Sequence, residues 1–145
     1  MKIVIEECPA NEEDSIIVRC KELDERMLQL LHSLKAGKHQ LAAWRDGQVV
    51  MLEPKEAYYF EAVDNRVYIY TQQEVYESRM KLYELEQQYG TADFLRISKS
   101  VIVNMTKIRK LSPGFNGRFE AHLKNGERVV ISRQYVPALK ERLGL

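Results

Sequence analysis

The side chains of this 145-residue chain best suited to chemistry are cations and amides placed at turns. Four places stand out: Asp64-Asn65-Arg66, the run Arg96–Ser100, the run Lys107–Lys110, and Ser132-Arg133-Gln134-Tyr135. The chemistry they offer is recognition. Arginine, lysine and asparagine on loops can reach base edges in a DNA major groove, while neighbouring lysine and serine side chains hold phosphates. The charge distribution points the same way. Residues 96–145 carry eleven basic and three acidic side chains, a balance of +8, whereas residues 1–95 carry eleven and eighteen, a balance of −7. The formal net charge of +1 hides this split. A basic end of that size attracts polyanions, of which nucleic acid is the commonest; a basic but merely solvated surface is the bland alternative.

Catalytic constellations are missing from the sequence. His32, His39 and His122 lie far apart, with no cysteine or acid at ligand spacing, so no zinc or other metal site is expected. The seven glycines are scattered as turn residues, which excludes a phosphate-binding glycine loop. Glu6-Glu7 and Glu12-Glu13 read as solvated charges rather than an acid/base pair. No serine- or cysteine-centred nucleophile motif occurs. The expectation is a non-enzymatic protein with no cofactor. No apolar run approaches the roughly 20 residues that span a bilayer. The start, Met1–Glu7, is too short and wrongly flanked for a signal peptide, so the expected location is cytoplasmic. Cys8 and Cys20 are then expected as reduced, small core residues rather than redox sensors.

The elements that must position these groups are mostly strands. Hydrophobic content of 45% and charged content of 30% fit an ordinary globular domain with a small appendage. Lys2–Cys8 and Ser15–Cys20 alternate and are predicted to form a hairpin around Pro9–Asp14. Asp24 caps a helix with Met27, Leu28, Leu30, Leu31 and Leu34 on its apolar face, ended by Gly37. Residues 1–39 thus form a small β-β-α segment, a possible dimerisation or regulatory piece. From residue 40 onward short strands flank tight turns at Asp46-Gly47, Asp64-Asn65 and Asn125-Gly126. Strands are predicted at Leu41–Arg45, Gln48–Leu52, Ala57–Val63, Arg66–Thr71, Glu74–Glu77, Phe94–Ile97, Val101–Val103, Ile108–Leu111, Phe119–Lys124 and Glu127–Ile131. Lys81–Tyr89 is predicted as a helix. Ser132 caps a terminal helix with Val136, Leu139 and Leu143 inward. Asn104 is expected to cap the turn Met105-Thr106-Lys107. Tyr59, Phe60, Phe94, Val101 and Val103 are expected in the core. Tyr68, Tyr70 and Tyr76 fit packing on a sheet face better than base stacking. No basic helix follows a helix–turn, so a helix-turn-helix reader is not supported.

The run Phe94-Leu95-Arg96-Ile97-Ser98-Lys99-Ser100-Val101-Ile102-Val103-Asn104 resembles the signature of the LytTR-type DNA-binding domain. Tyr59-Phe60-Glu61-Ala62, Asn125-Gly126 and Ile131-Ser132-Arg133-Gln134-Tyr135 are similar to further family motifs, in the family's order, and the likeness runs from about Leu41 to Leu145. It implies a mainly β (α+β) fold: an elongated, antiparallel LytTR-like domain over residues 40–145 with short helices. It also implies a sequence-specific transcription regulator whose loops, not a recognition helix, enter successive major grooves of double-stranded DNA. Base contacts carry over to the turn at Asn65-Arg66, to Lys99 and to Arg133. Asn65 reads a base or serves only the turn, and Lys99 reads a base or grips phosphate. Ser100, Lys107, Arg109, Gln134 and Tyr135 are candidate phosphate contacts. Arg96 is another, or else it supports the Lys99 loop.

Many relatives carry a phosphoacceptor receiver, for which residues 1–39 are too short. The resemblance is therefore to stand-alone regulators, often restrained by a small membrane protein. A homodimer, or tandem monomers on repeated half-sites, is the expected assembly. The competing reading is a non-enzymatic module whose basic end docks an acidic protein or an anionic membrane.

Overall fold

A computed structural model of the chain describes residues 2–35, 40–90 and 93–145. The chain divides into two units, Met1–Lys38 and His39–Leu145. In the first, α1 (Glu25–Lys35) begins where the sequence places its cap. Asp24 Oδ1 accepts the Met27 N–H at 3.0 Å, and the Asp24 carbonyl accepts the Leu28 N–H at 3.0 Å. The first bond satisfies a donor that a helix start leaves open, and the second is the first bond of the helix itself. The expected stop at Gly37 lies outside the described residues.

The hairpin expected before α1 is not formed. Residues 2–24 carry neither helix nor strand, so the β-β-α segment is an irregular stretch followed by a helix. A lone turn survives, in which the Glu12 N–H donates to the Pro9 carbonyl at 3.0 Å. The alternation of residue types is genuine, but two strands with no third strand or packed face beside them are marginal in water. Cys8 and Cys20 are both exposed, not core residues as the alternation suggested.

The second unit contains two antiparallel sheets. The larger holds β1 (Leu41–Arg45), β2 (Gln48–Leu52), β3 (Tyr59–Val63), β4 (Arg66–Tyr70), β5 (Val75–Ser78), β6 (Phe94–Arg96) and β7 (Val101–Asn104) in the order β2-β1-β5-β4-β3-β7-β6. The smaller holds β8 (Ile108–Pro113), β9 (Phe119–Leu123) and β10 (Arg128–Ile131) in the order β10-β9-β8. Two helices complete the unit, α2 (Leu82–Tyr89) and α3 (Val136–Leu143). The turns follow local chemistry. Asp46 and Gly47 have φ of 51° and 75°, and Asp64 and Asn65 have 50° and 62°, so both two-residue turns take the left-handed backbone that closes a twisted hairpin. The Asn125-Gly126 turn is looser. Only Gly126 is left-handed, and Asn125 Oδ1 accepts the Glu127 N–H at 3.0 Å.

Period-two alternation distributes the core. Phe60, Phe94 and Ile102 face one side of the larger sheet, with Leu82 and Leu85 of α2 buried in the same cluster. The Phe60 and Phe94 rings lie 5.2 Å apart. Their chain neighbours Leu95 and Val103 turn to the opposite face and pack with Ala121, Leu123, Val129 and Ile131 of the smaller sheet, and with Leu139 of α3. Strands β3, β7 and β6 are thus covered on both sides. Burial of each large apolar side chain contributes about 1.5–3 kcal/mol. Tyr59 and Val101, expected in the core, are half-buried.

Asn104 is fully buried, and both its side-chain oxygen and its nitrogen are hydrogen-bonded. Its Oδ1 accepts from the Thr106 N–H at 3.0 Å and the Thr106 hydroxyl at 2.7 Å, and its Nδ2 donates to the Ala57 carbonyl at 2.8 Å. The expected cap is therefore present, with a second bond reaching 47 residues back. Ser132 behaves differently from expectation. Its side chain makes no cap bond; its carbonyl accepts the Tyr135 N–H at 2.8 Å and opens a 3₁₀ turn over Arg133–Tyr135. In α3, Val136 and Leu139 are buried, but Leu143 is exposed because the last turn runs past the core.

Candidate nucleic-acid interface

The loops that carry the candidate residues are shaped by the strands they join. Asn65 sits in the left-handed turn between β3 and β4, and Arg66 opens β4, both exposed. Arg66 Nε stands 4.0 Å from Glu77 Oε1 on the neighbouring strand. Lys99 projects from the bend between β6 and β7 and is exposed. That bend is tightly tied. The Ile97 N–H reaches the Val101 carbonyl at 3.0 Å, and the Ser100 N–H reaches Ser98 Oγ at 3.2 Å.

Arg96 holds the same bend from beneath. Its Nε donates to the Ser98 carbonyl at 2.7 Å, one terminal nitrogen donates to the Lys99 carbonyl, and the other donates to Glu86 Oε1 of α2 at 3.2 Å. The side chain is only 20% exposed. Two of its donors are taken by the loop backbone and the third by α2.

Two backbone bonds draw the loops together. The Ser132 N–H donates to the Ile97 carbonyl at 2.8 Å, which seats the Arg133 turn against the Lys99 bend. The Ala62 N–H donates to the Ser100 carbonyl at 2.8 Å, which sets that bend beside the end of β3, two residues before the Asp64-Asn65 turn. Asn65, Arg66, Lys99, Ser100 and Arg133 are therefore carried on adjoining turns. Arg133 and Gln134 are exposed, and Tyr135 is half-buried. The stem of Arg133 lies over Gly117: a Cβ there would meet Arg133 Cδ at 3.2 Å. Gly117 has φ of 78°, so the position suits glycine on both counts.

Lys107 and Arg109 stand apart. Strand pairing sets Ile108 opposite Leu123 and Ile131 opposite Phe119, so the two cations lie at the end of the smaller sheet away from the Arg133 turn. Lys107 is half-buried, with its ammonium 5.0 Å from the centre of the Tyr58 ring. Arg109 is the extra residue of a bulge between Ile108 and Lys110. Two further cations, which the loop-based reading passed over, lie beside these turns. Arg118 and Arg128 line an open cleft with Tyr59, Glu61, Ser98 and Ser132, between the Lys99 bend and the smaller sheet. Arg128 stands 3.9 Å from Glu120. Their only sequence signal is their share of the basic C-terminal balance, because neither falls in a recognisable motif.

Electrostatics beside the cleft are conservative. Burial, then a hydrogen bond to Glu127, pushes the Tyr59 phenol far above its ordinary range. Burial and Glu61 raise Tyr70 as well. Both rings stay neutral under ordinary conditions, stacked with centroids 4.3 Å apart. Among the described residues no cluster of histidine, cysteine and acidic side chains could hold a metal ion. No helix among them is long and apolar enough to cross a membrane.

Comparisons with known proteins agree with this geometry. The family model for the LytTr DNA-binding domain matches residues 47–144. A solved LytTr DNA-binding domain from Bacillus cereus superposes with a TM-score of 0.72 at 26% identity, covering 75% of this chain and all of that one. The sensory transduction protein LytT of Enterococcus faecalis is 32% identical over 100 residues, which are 69% of this chain. The aligned part spans about 41% of that longer protein. An uncharacterized HTH-type transcriptional regulator of Staphylococcus aureus is 29% identical over 139 residues and matches 94% of both chains. With its antiparallel sheets, its short helices and its matched residues 47–144, the chain belongs to the LytTR DNA-binding domain family.

Proposed function

We propose that this chain is a sequence-specific, DNA-binding transcription regulator that reads double-stranded DNA through loops rather than through a recognition helix. The observation that carries the reading is the joining of the Lys99 bend and the Arg133 turn by the Ser132–Ile97 bond, beside the Asn65-Arg66 turn. Arg133 takes the base-reading role, because its guanidinium fork can engage guanine O6 and N7 together. Lys99, Asn65 and Arg66 complete the base contacts. Ser100, Gln134 and Tyr135 hold phosphates. Lys107 and Arg109 grip phosphate further along the duplex. Arg118 and Arg128 join the phosphate contacts, and Arg96 positions the Lys99 bend. The work is binding, done where DNA is, in the cytoplasm, with no catalytic step and no cofactor. Two copies acting on repeated half-sites, restrained by a small membrane protein, extend the reading by resemblance to stand-alone members. A membrane pull-down that recovers no such protein removes that extension.

Fluorescence anisotropy tests the core of it. Labelled DNA from the chain's own upstream region is compared with scrambled DNA across a salt series. The expected result is a preference on the order of a thousandfold that survives at high salt, over a non-specific background that salt removes. Equal binding to both sequences would reduce the basic end to a surface for an acidic protein or an anionic membrane.

A further inference from the structure

Among its described residues, the first unit displays exposed apolar side chains. Ile3, Val4 and Ile5 are 84%, 64% and 88% exposed, and Ile16, Ile17, Leu23, Leu28 and Leu30 are exposed as well. Large aliphatic side chains remove on the order of 100 Å² each from water when buried, so eight approach the roughly 800 Å² that one partner gives a standard interface. The same segment has the alternation of a strand but no strand partner. A missing partner accounts for both facts.

Self-complementarity identifies that partner. When Lys2–Glu6 is laid antiparallel against a copy of itself, with Val4 opposite Val4, Ile3 falls opposite Ile5 and Lys2 falls opposite Glu6. Every apolar residue then meets an apolar residue, and both ion pairs have opposite signs. One face of the pair is purely isoleucine; the other carries valines flanked by the two Lys–Glu pairs. A closed two-fold interface requires one patch to complement itself in this way. Cross-strand pairs of these types are the stabilising ones, and like charges directly opposite each other are not. We infer that Lys2–Glu6 pairs with the same segment of a second copy of this chain, as antiparallel strands about a two-fold axis at Val4, while the exposed side chains of residues 16–30 enlarge the contact. The inference concerns the first unit and does not rest on the DNA reading.

The test uses the full chain and sedimentation equilibrium without DNA. The wild-type chain is expected to dimerise. Lys2→Glu alone and Glu6→Lys alone each place like charges opposite each other twice per dimer, and each is expected to weaken dimerisation about tenfold. Mixing the two variants restores opposite charges at both positions and is expected to return dimer formation to wild-type strength. A role confined to one copy would not show that rescue. In a chain with Cys8→Ser and Cys20→Ser, Val4→Cys should give a covalent dimer under mild oxidation, since directly opposed strand residues lie within disulfide reach. A monomer at all concentrations overturns the inference. So does a dimer that ignores both charge reversals and resists cross-linking at position 4. DNA binding measured on the same variants reports separately on the function proposed above.

Discussion

At the scale of single residues, the proposed roles separate into reading, gripping and holding. Arg133→Ala should relax discrimination at one base-pair position by about 1–3 kcal/mol, measured by competition with single-substitution operators. Lys99→Ala distinguishes the two roles left open for that side chain. A lost phosphate contact lowers affinity evenly across sequences and reduces the salt slope by about one unit, whereas a lost base contact changes the preferred sequence. Asn104→Ala leaves the Thr106 N–H and the Ala57 carbonyl without their partner; unfolding titrations should show a loss of about 2–3 kcal/mol. Much at this scale could be read from the sequence. Asn104 announces itself by position and type, and the exposed turn that carries Arg133 is legible in its Ile-Ser-Arg run. Arg118 and Arg128 do not, because their place on one open cleft with Ser98 and Ser132 follows only from how the two sheets pack. Arg96 was equivocal for a physical reason: an arginine that ties a loop and one that grips phosphate share the same side chain. Only the three acceptors around it tell them apart.

At the scale of elements, turn chemistry carried most of the information. The dipeptides Asp46-Gly47 and Asp64-Asn65 fixed two hairpins, and their register followed from the alternation of the flanking strands. The N-terminal hairpin failed by the same logic. Its alternation is as clear as that of β3 and β4, yet strand patterning is a statement about a face that something must cover, and the described residues of the first unit leave that face exposed. The turn beneath Arg133 offers a test. Gly117→Ala places a Cβ against Arg133 Cδ in a left-handed backbone. Stability should fall by about 1–2 kcal/mol, and discrimination at the Arg133 position should fall with it, because the arginine stem must move. A variant that loses stability but keeps full base discrimination would separate Gly117 from the reading site.

At the scale of the whole molecule, charge and titration set behaviour in solution. Tyr59 belongs to β3, and burial, with Glu127 beside it, holds its phenol protonated well beyond the ordinary range. The unfolded phenol ionises near pH 10 while the folded one keeps its proton, so the unfolded chain binds fewer protons above that point and stability falls there. Denaturant melts should therefore be flat for this group through neutral pH and decline above about pH 10. Tyr59→Phe, which has no proton to lose, should decline less steeply. The split between a −7 stretch and a +8 stretch should make DNA binding strongly salt-dependent even though the net charge is close to zero.

The bend that Arg96 braces has a mechanical consequence. With its backbone tied at Ile97, Ser98, Lys99 and Ser100, it has little slack to follow an ill-fitting duplex. Accommodation then falls to the nucleic acid. Where neighbouring grooves must be bent or narrowed to meet the Lys99 and Arg133 turns together, flexible base steps between them lower the cost and stiff ones raise it. Operators should accordingly show preferences at intervening positions that no side chain touches, and nicks or mismatches placed there should strengthen binding rather than weaken it.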